Sequence, residues 1–368
     1  MQMKTLACVA LLLLLCTACI QDEPLNPEAD ILSFSLPDDI ALSQATFNQN
    51  NISMTVRADA DLTHLTPIIE ITEGATIDPA ADTPRNFTTP VTYTVTAADR
   101  LHQRVYTVQL ITSSIYRYSF EYWKQLDKNY AYLTPVEYDA DHQEIKPWDS
   151  SNKGIAIYQQ YPEADEYPVH PTSTSMDGKL AAEMVTKKGP GSILGILNIP
   201  VVAGSLFTGV LNPLNALKDP LLATQFGQPF SEKPLRMRGH YMYKAGEGNY
   251  IDRQGNVQPA LKDSCAIYSV FFRTDADLEM LDGTNILTDP HIVAIAMLPG
   301  PGRAGTEGND FVAFDIPFEY KNDAVVDFEK NKYKLVIVFS SSFYGDRYEG
   351  TPGSRLIVDD VEIITEDK

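Results

Sequence analysis

Apolar and polar residues alternate with a period of two along much of this chain, and that pattern excludes most folds. Ile52, Met54 and Val56 alternate with Ser53, Thr55 and Arg57; Val91, Tyr93 and Val95 alternate with threonines; Tyr106, Val108 and Leu110 alternate with Val105, Thr107 and Gln109. Successive side chains of a strand point to opposite faces, so this text describes sheets with one buried face. The 19 Tyr and 15 Phe suit strands. The 24 Pro and 21 Gly punctuate them. Turn clusters near 48–51, 73–75 and 97–99 place a small β-sandwich over 31–113.

A second strand series follows. Its clearest members are Tyr116–Trp123, His240–Lys244, Ala266–Arg273, Ile292–Leu298, Phe311–Tyr320, Tyr333–Ser340 and Arg355–Ile364. Without helical periodicity between them, they predict a larger β-sandwich or jelly roll over 115–368, and an all-β protein. Residues 189–217 carry no charge. Pro200, Pro213, Asn198, Asn212 and Asn215 interrupt the stretch, and such residues are costly in hydrocarbon. Buried strands and a core-crossing loop are expected there.

The amino terminus sets the compartment. Lys4 precedes an apolar stretch, Leu6 to Leu15, too short to span a bilayer permanently but the length of a signal-peptide core. Thr17 and Ala18 then precede Cys19, which resembles the lipobox of bacterial lipoproteins, with Cys16 where that motif usually has Leu. The resemblance implies a signal peptide over 1–18, a diacylated Cys19 and a polar tether over 19–30. The Ile-Gln-Asp-Glu that follows Cys19 resembles the surface-export signal of lipoproteins in glycan-foraging Gram-negative gut bacteria. A lipid-anchored protein of the outer membrane, facing outward, is expected. The net charge of −20 would repel phosphate backbones, so nucleic acid is not an expected partner. Beyond the leader and Cys19 only Cys265 remains, and no Cys or His spacing suits zinc.

The wording of both domains resembles known modules. "ILSFSL", "ISMTVRADADLTHLTPIIEITEGATIDP" and "FTTPVTYTVTAADRLHQRVYTVQL" resemble the Ig-like module that precedes larger domains in surface lipoproteins of gut bacteria, which implies a spacer without an active site. "FEYW" at 120–123, "WDSSNKG" at 148–154, "VAGSLFTG" at 202–209, "FGQPFSEKPLRMRGHYMYKAGE" at 226–247, "DSCAIYSVFF" at 263–272 and "FSSSFYGDRYEGTPGSRLIVDDVEI" at 339–363 resemble the putative carbohydrate metabolism domain family. That resemblance implies a jelly roll like those of carbohydrate-binding modules, with a sugar-sized pocket on its concave sheet. Neighbouring glycan-utilisation proteins are the further partners it implies.

A sugar site needs an aromatic face for the C–H side of the ring and planar polar groups for the hydroxyls. Trp148 and Asn152, beside Asp149 and Lys153, offer that mix in a loop. Tyr241 and Tyr243 offer it on a strand, where they share one face while His240, Met242 and Lys244 share the other, so one of the two sets lines the core. Arg273 ends another strand. Within "FSSSFYGDRYEG", Ser342 and Asp346, with Ser341, Tyr344 and Arg347, suit a polyol or an ordinary turn. Glu121 on the first strand and Asp359 or Asp360 on the last would be the ligands of a structural calcium ion; no other cofactor is required. Glycoside hydrolysis needs two carboxylates roughly 5–9.5 Å apart. Glu121, Asp149, Glu247, Asp263 and Asp346 are the candidates, and sequence alone pairs none of them. His170, His240 and His291 stand isolated. Three functions stay open: non-catalytic capture of carbohydrate, glycoside hydrolysis or lysis, and adhesion.

Overall fold

The computed structural model describes residues 25–37, 40–42, 44–57, 60–138, 143–306, 310–321 and 324–366. Cys19, the lipidation candidate, and the leader before it lie outside the described residues. The chain divides into two compact units, Met1–Thr112 and Ser113–Lys368.

The first unit is all β. A five-stranded sheet runs in the order Thr46–Asn48, Asn51–Arg57, Gln103–Ser113, Val91–Thr96, Thr76–Asp78, and a separate pair joins Ile31–Ser35 to Ile68–Ile71. The alternation read from the sequence is realised residue by residue. Ile52, Met54, Val56, Tyr93, Val95, Tyr106 and Val108 are buried in one cluster, while Ser53, Thr55 and Thr94 between them stay partly exposed.

Two large antiparallel sheets form the body of the second unit, beside a three-stranded sheet and two two-stranded ones among the described residues. One has six strands in the order Val169–Thr172, Ala181–Val185, Arg355–Glu366, Lys233–Lys244, Val312–Pro317, with Ile115–Tyr118 paired to the far end of Arg355–Glu366. The other has nine strands, and Ser205–Leu211, Lys332–Ser340 and Ala266–Thr274 lie side by side at its middle. Between the sheets, Met237, Val358 and Ile363 from one meet Ile267, Phe271, Ile337 and Phe339 from the other. Both sheets are therefore glued by burial of alternate side chains, at roughly 25 cal/mol per Å² of apolar surface.

The nine-stranded sheet differs from the usual half-wet antiparallel sheet. On Lys332–Ser340, Tyr333, Leu335, Ile337 and Phe339 enter the inter-sheet core, but Val336 and Val338 on the opposite face are buried too, in a second cluster with Phe207, Val270 and Phe226. The short 3₁₀ turns Pro213–Leu217 and Pro220–Leu222 and the segment around Ile286 supply the cover, through Ala216, Ala223 and Ile286. This is why the text reads as an unbroken apolar run there.

Two expectations are corrected. The strand expected at Tyr116–Trp123 is split into Ile115–Tyr118 and Tyr122–Lys124. Buried Glu137 accepts the backbone N–H of Ser119 at 3.1 Å and of Phe120 at 3.4 Å, which takes two amides out of the ladder, and Phe120 turns to φ +54°. The uncharged stretch 189–217 forms the hairpin Lys187–Ile193 and Leu197–Val202, then Ser205–Leu211, with Ile199, Val201 and Leu206 buried. Its hairpin tip is not buried: Leu194 is 91% and Ile196 72% exposed. Among the described residues no helix is long and apolar enough to cross a membrane.

Candidate functional site

A cavity of about 300 Å³ opens on the outer face of the nine-stranded sheet. Its floor is set by strand register. Ser205, Ser340 and Ala266 form one row across the three central strands, and Phe207, Val338 and Tyr268 form the next. The first row is small, so the backbone there is left as a hollow. Ser205 and Ser340 share a hydroxyl–hydroxyl bond of 2.7 Å across it. One wall is the helix Asn152–Tyr158 with its leading Ser151, contributing Ser151, Gly154, Ile155 and Tyr158.

The other wall is the loop after Ser340, which brings Phe343, Tyr344, Asp346, Arg347 and Tyr348. The loop is pinned from beneath. Asp263 is buried, and one of its carboxyl oxygens accepts from Ser342 Oγ at 2.6 Å, from Thr351 N at 2.7 Å and from Ser354 Oγ at 2.7 Å. Thr186 Oγ1 bonds Ser342 Oγ at 2.6 Å and Ser341 Oγ at 2.8 Å. Burial raises the Asp263 carboxyl and these donors oppose it, as expected of a satisfied buried acid. Gly345 is obligatory here, because a Cβ would sit 2.4 Å from Ala203 Cβ. Tyr348 takes the left-handed conformation, φ +62°, to end the turn.

Asp346 is the one carboxylate among the described residues that line the cavity. Much of its surface meets the open cavity, yet the surrounding walls strip enough water to raise its carboxyl to about 6, with Arg347 opposing the rise. That carboxylate in turn adds to burial in raising the Tyr268 phenol. The Arg347 guanidinium lies 5.2 Å from the centre of the Tyr344 ring, and Tyr344 is 45% exposed. A planar cation, an exposed aromatic ring, one carboxylate and paired hydroxyls are the components that hydrogen-bond and stack against a polyol ring.

The residues expected from the sequence separate into those the fold brings here and those it does not. Asp346, Tyr344 and Arg347 line the cavity. Ser342 lies beneath it, fully occupied by Asp263 and Thr186, and so positions the loop without meeting a ligand. Trp148 is corrected: it is 4% exposed, its indole enclosed by Tyr118, Phe120 and Phe339, with no ring face open. Asn152 is corrected as well, since its amide is spent clamping the backbone of Val169, donating at 2.6 Å and accepting at 2.9 Å. Tyr241 and Tyr243 are the core-facing set of their strand, with the Tyr241 hydroxyl donating to Gly302 O at 3.0 Å. Arg273 sits outside the cavity, 3.6 Å from Asp275. Asp149 caps Leu211 N at 2.8 Å and pairs with Lys153, and Glu247 points to solvent beside Lys244, so neither joins Asp346. His170 and His291 are held structurally, by Tyr167 O and by Asp289 with Asp275.

Glu121 and Asp359 do converge, but on a loop. Glu121 Oε1 accepts from Lys179 N at 2.8 Å and Leu180 N at 3.0 Å, and Asp359 Oδ2 from Met176 N at 2.6 Å and Asp177 N at 3.1 Å. Asp360 faces Arg117 at 3.7 Å. One oxygen of Glu121 and one of Asp359 are taken up by amide hydrogens and Asp360 faces a guanidinium, so in this arrangement the carboxylates tie down the 176–180 loop. Among the described residues no cluster of three or more His, Cys, Asp or Glu is arranged to hold a metal.

What sequence reasoning missed is the floor. Ser205, Tyr268 and Ser340 lie in runs apolar on both faces, so no alternation marked them, and Ser151 and Tyr158 flank Asn152 without being singled out.

Residues 119–364 match the family described as "Putative carbohydrate metabolism domain", and residues 31–110 match the one described as "SGBP, N-terminal". A structure from Bacteroides thetaiotaomicron described as a putative glycoside hydrolase is similar along 95% of this chain and 100% of its own, at 34% identity and a TM-score of 0.61. Another, from Bacteroides vulgatus and described in the same words, is similar along 68% of this chain and 98% of its own, at 28% identity and a TM-score of 0.61. Among proteins of curated function, none matches.

Proposed function

Because the chain belongs to the putative carbohydrate metabolism domain family, we propose that it captures saccharide in the cavity on the nine-stranded sheet, as a lipoprotein anchored through Cys19 on the outer surface of the cell. The observation that carries the reading is the make-up of the cavity. Asp346, Arg347, the Tyr344 ring and the Ser205–Ser340 pair can bind a sugar ring, and among the described residues no second carboxylate lines the walls with Asp346. Hydrolysis calls for two carboxylates roughly 5–9.5 Å apart. A single acid suits recognition.

The Ig-like unit would serve as spacer. Two or three acyl chains, at about 0.8 kcal/mol per buried methylene, would hold the protein at the membrane. A second reading, hydrolysis, is favoured by the description of both similar Bacteroides structures as a "putative glycoside hydrolase". The raised Asp346 would be its general acid, with its partner supplied from outside the present lining.

A glycan array with the full chain, followed by a reducing-sugar assay on each hit, separates these. Binding without release of reducing ends is expected. No bound glycan would refute the proposal, and new reducing ends would move the assignment to hydrolysis. Surface placement is read by protease shaving of intact cells, with a Cys19→Ala variant expected to lose the anchor.

A further inference from the structure

Ser340 and Tyr268 apart, burial sorts the cavity lining by chemistry. Phe207, Leu211, Ala223, Phe226, Ile286 and Val338 line it, are all buried, and offer no polar side-chain atom. Thr284, Thr288, Tyr344, Asp346 and Arg347 line it too, and all are exposed. The cavity therefore has a polar mouth and a deep end of hydrocarbon. Tyr268 marks the boundary, on the bulky row of the floor with its phenol within the field of Asp346.

A free sugar does not suit such a space. Its hydroxyls ring every edge, and each one carried into the aliphatic end without a partner would cost about tenfold or more in affinity. An apolar substituent gains there instead. A cavity of about 150 Å³ walled by Leu, Ile and Phe accepts a benzene ring. The 300 Å³ here leaves room for such a group and for part of a sugar at the mouth.

We infer that the ligand is a saccharide carrying one apolar group, of the size of a single aryl ring or short acyl chain, with the sugar at Asp346, Arg347 and Tyr344 and the apolar group against Phe207, Phe226 and Ile286. The inference rests on reading the cavity as a saccharide site. The apolar group can be an aglycone or an ester, and the two sources are separable by experiment.

The test is calorimetric titration of the full chain with p-nitrophenyl glycosides of common hexoses, each beside its methyl glycoside, and with 6-O-butyryl hexoses beside the unesterified sugars. At least one pair should differ by about 30-fold in favour of the apolar member, or about 2 kcal/mol at 1.4 kcal/mol per tenfold. Aryl preference assigns an aglycone, and butyryl preference an ester. Ala223→Leu, which fills the deep end, should shrink that difference to about threefold while leaving the methyl glycoside or free sugar bound as before; Ala216→Leu serves if the first variant does not fold. Equal affinity within every pair overturns the inference and leaves saccharide capture standing. Binding of p-nitrophenol as tight as that of every glycoside, or no binding in either series, removes both.

Discussion

The two sheets of the larger unit present outer faces of opposite character. On the six-stranded sheet the outward residues are largely ionic, apart from one small buried apolar cluster of Ala181, Met242 and Ile357. Glu362, itself buried, accepts from Arg117 Nη2 at 2.5 Å and Arg238 Nε at 2.6 Å; Arg236 meets Asp315 at 2.6 Å, and Arg355 pairs with Glu183. On the nine-stranded sheet the outward residues are apolar, covered by 3₁₀ turns, and hollowed where Ser205, Ser340 and Ala266 meet. Both faces are built by the same alternation. What differs is whether the outward set is satisfied within the sheet or needs a cover, and only a cover leaves a cavity.

The largest expected effect breaks the contrast if it fails. The double substitution Asp346→Ala, Arg347→Ala should weaken binding of any array hit about 30-fold or more by calorimetry, since two charge-assisted contacts are lost. Arg236→Ala, on the ionic face, should leave it within about twofold. Equal loss from both would show that the cavity is not where ligand binds.

The ionic face should instead declare itself in stability. Glu362→Gln should cost about 2 kcal/mol in urea unfolding, a figure discounted because both arginines are partly exposed, and should not change ligand affinity. Burial alone would raise the Glu362 carboxyl, but the hydrogen bonds and charge of Arg117 and Arg238 hold it below its ordinary 4.5. A depressed folded value contributes stability that is present above 4.5 and lost as pH falls through the folded value. The gap in melting temperature between the native chain and Glu362→Gln should therefore close in acid.

Asp346 should give the opposite sign. The cavity walls strip water from its carboxyl and raise it to about 6, so ionising it costs the folded state a little at neutral pH, an effect screened because the residue is exposed. Asp346→Asn should melt slightly higher than the native chain at pH 7.5, with the advantage gone below its ordinary 3.8. Ligand affinity of the native chain should fall several-fold from pH 7 to pH 5 as the accepting carboxylate is protonated, and the variant's should stay flat. The smallest effect is at the floor. Ser205→Ala removes the bond to Ser340 and should cost about 1 kcal/mol of stability by chemical denaturation.

Much of the fold was legible because one-sided sheets write themselves as alternation. Ile52, Met54 and Val56 in the first unit, and the Tyr241–Tyr243 pairing on one face of its strand, could be read directly. The choice of face for that pair could not, since either set could have been the core. Within the candidate site, the loop with Asp346 and Arg347 was found by its composition. Trp148 and Asn152 were chosen for chemistry that the fold spends on packing and on clamping Val169.

By itself, then, the sequence determined the all-β class, the positions of most strands and the loop that carries the cavity's Asp346, because period-two patterning and turn residues act over a few neighbours. Tertiary structure decided which face is hollowed and which is ionic. The cavity needs Ser151, Ser205, Tyr268, Ser340 and Asp346, far apart in the chain, brought together by the register of three strands and a cover of 3₁₀ turns. No local pattern encodes that juxtaposition, since it depends on which distant segment pairs beside which.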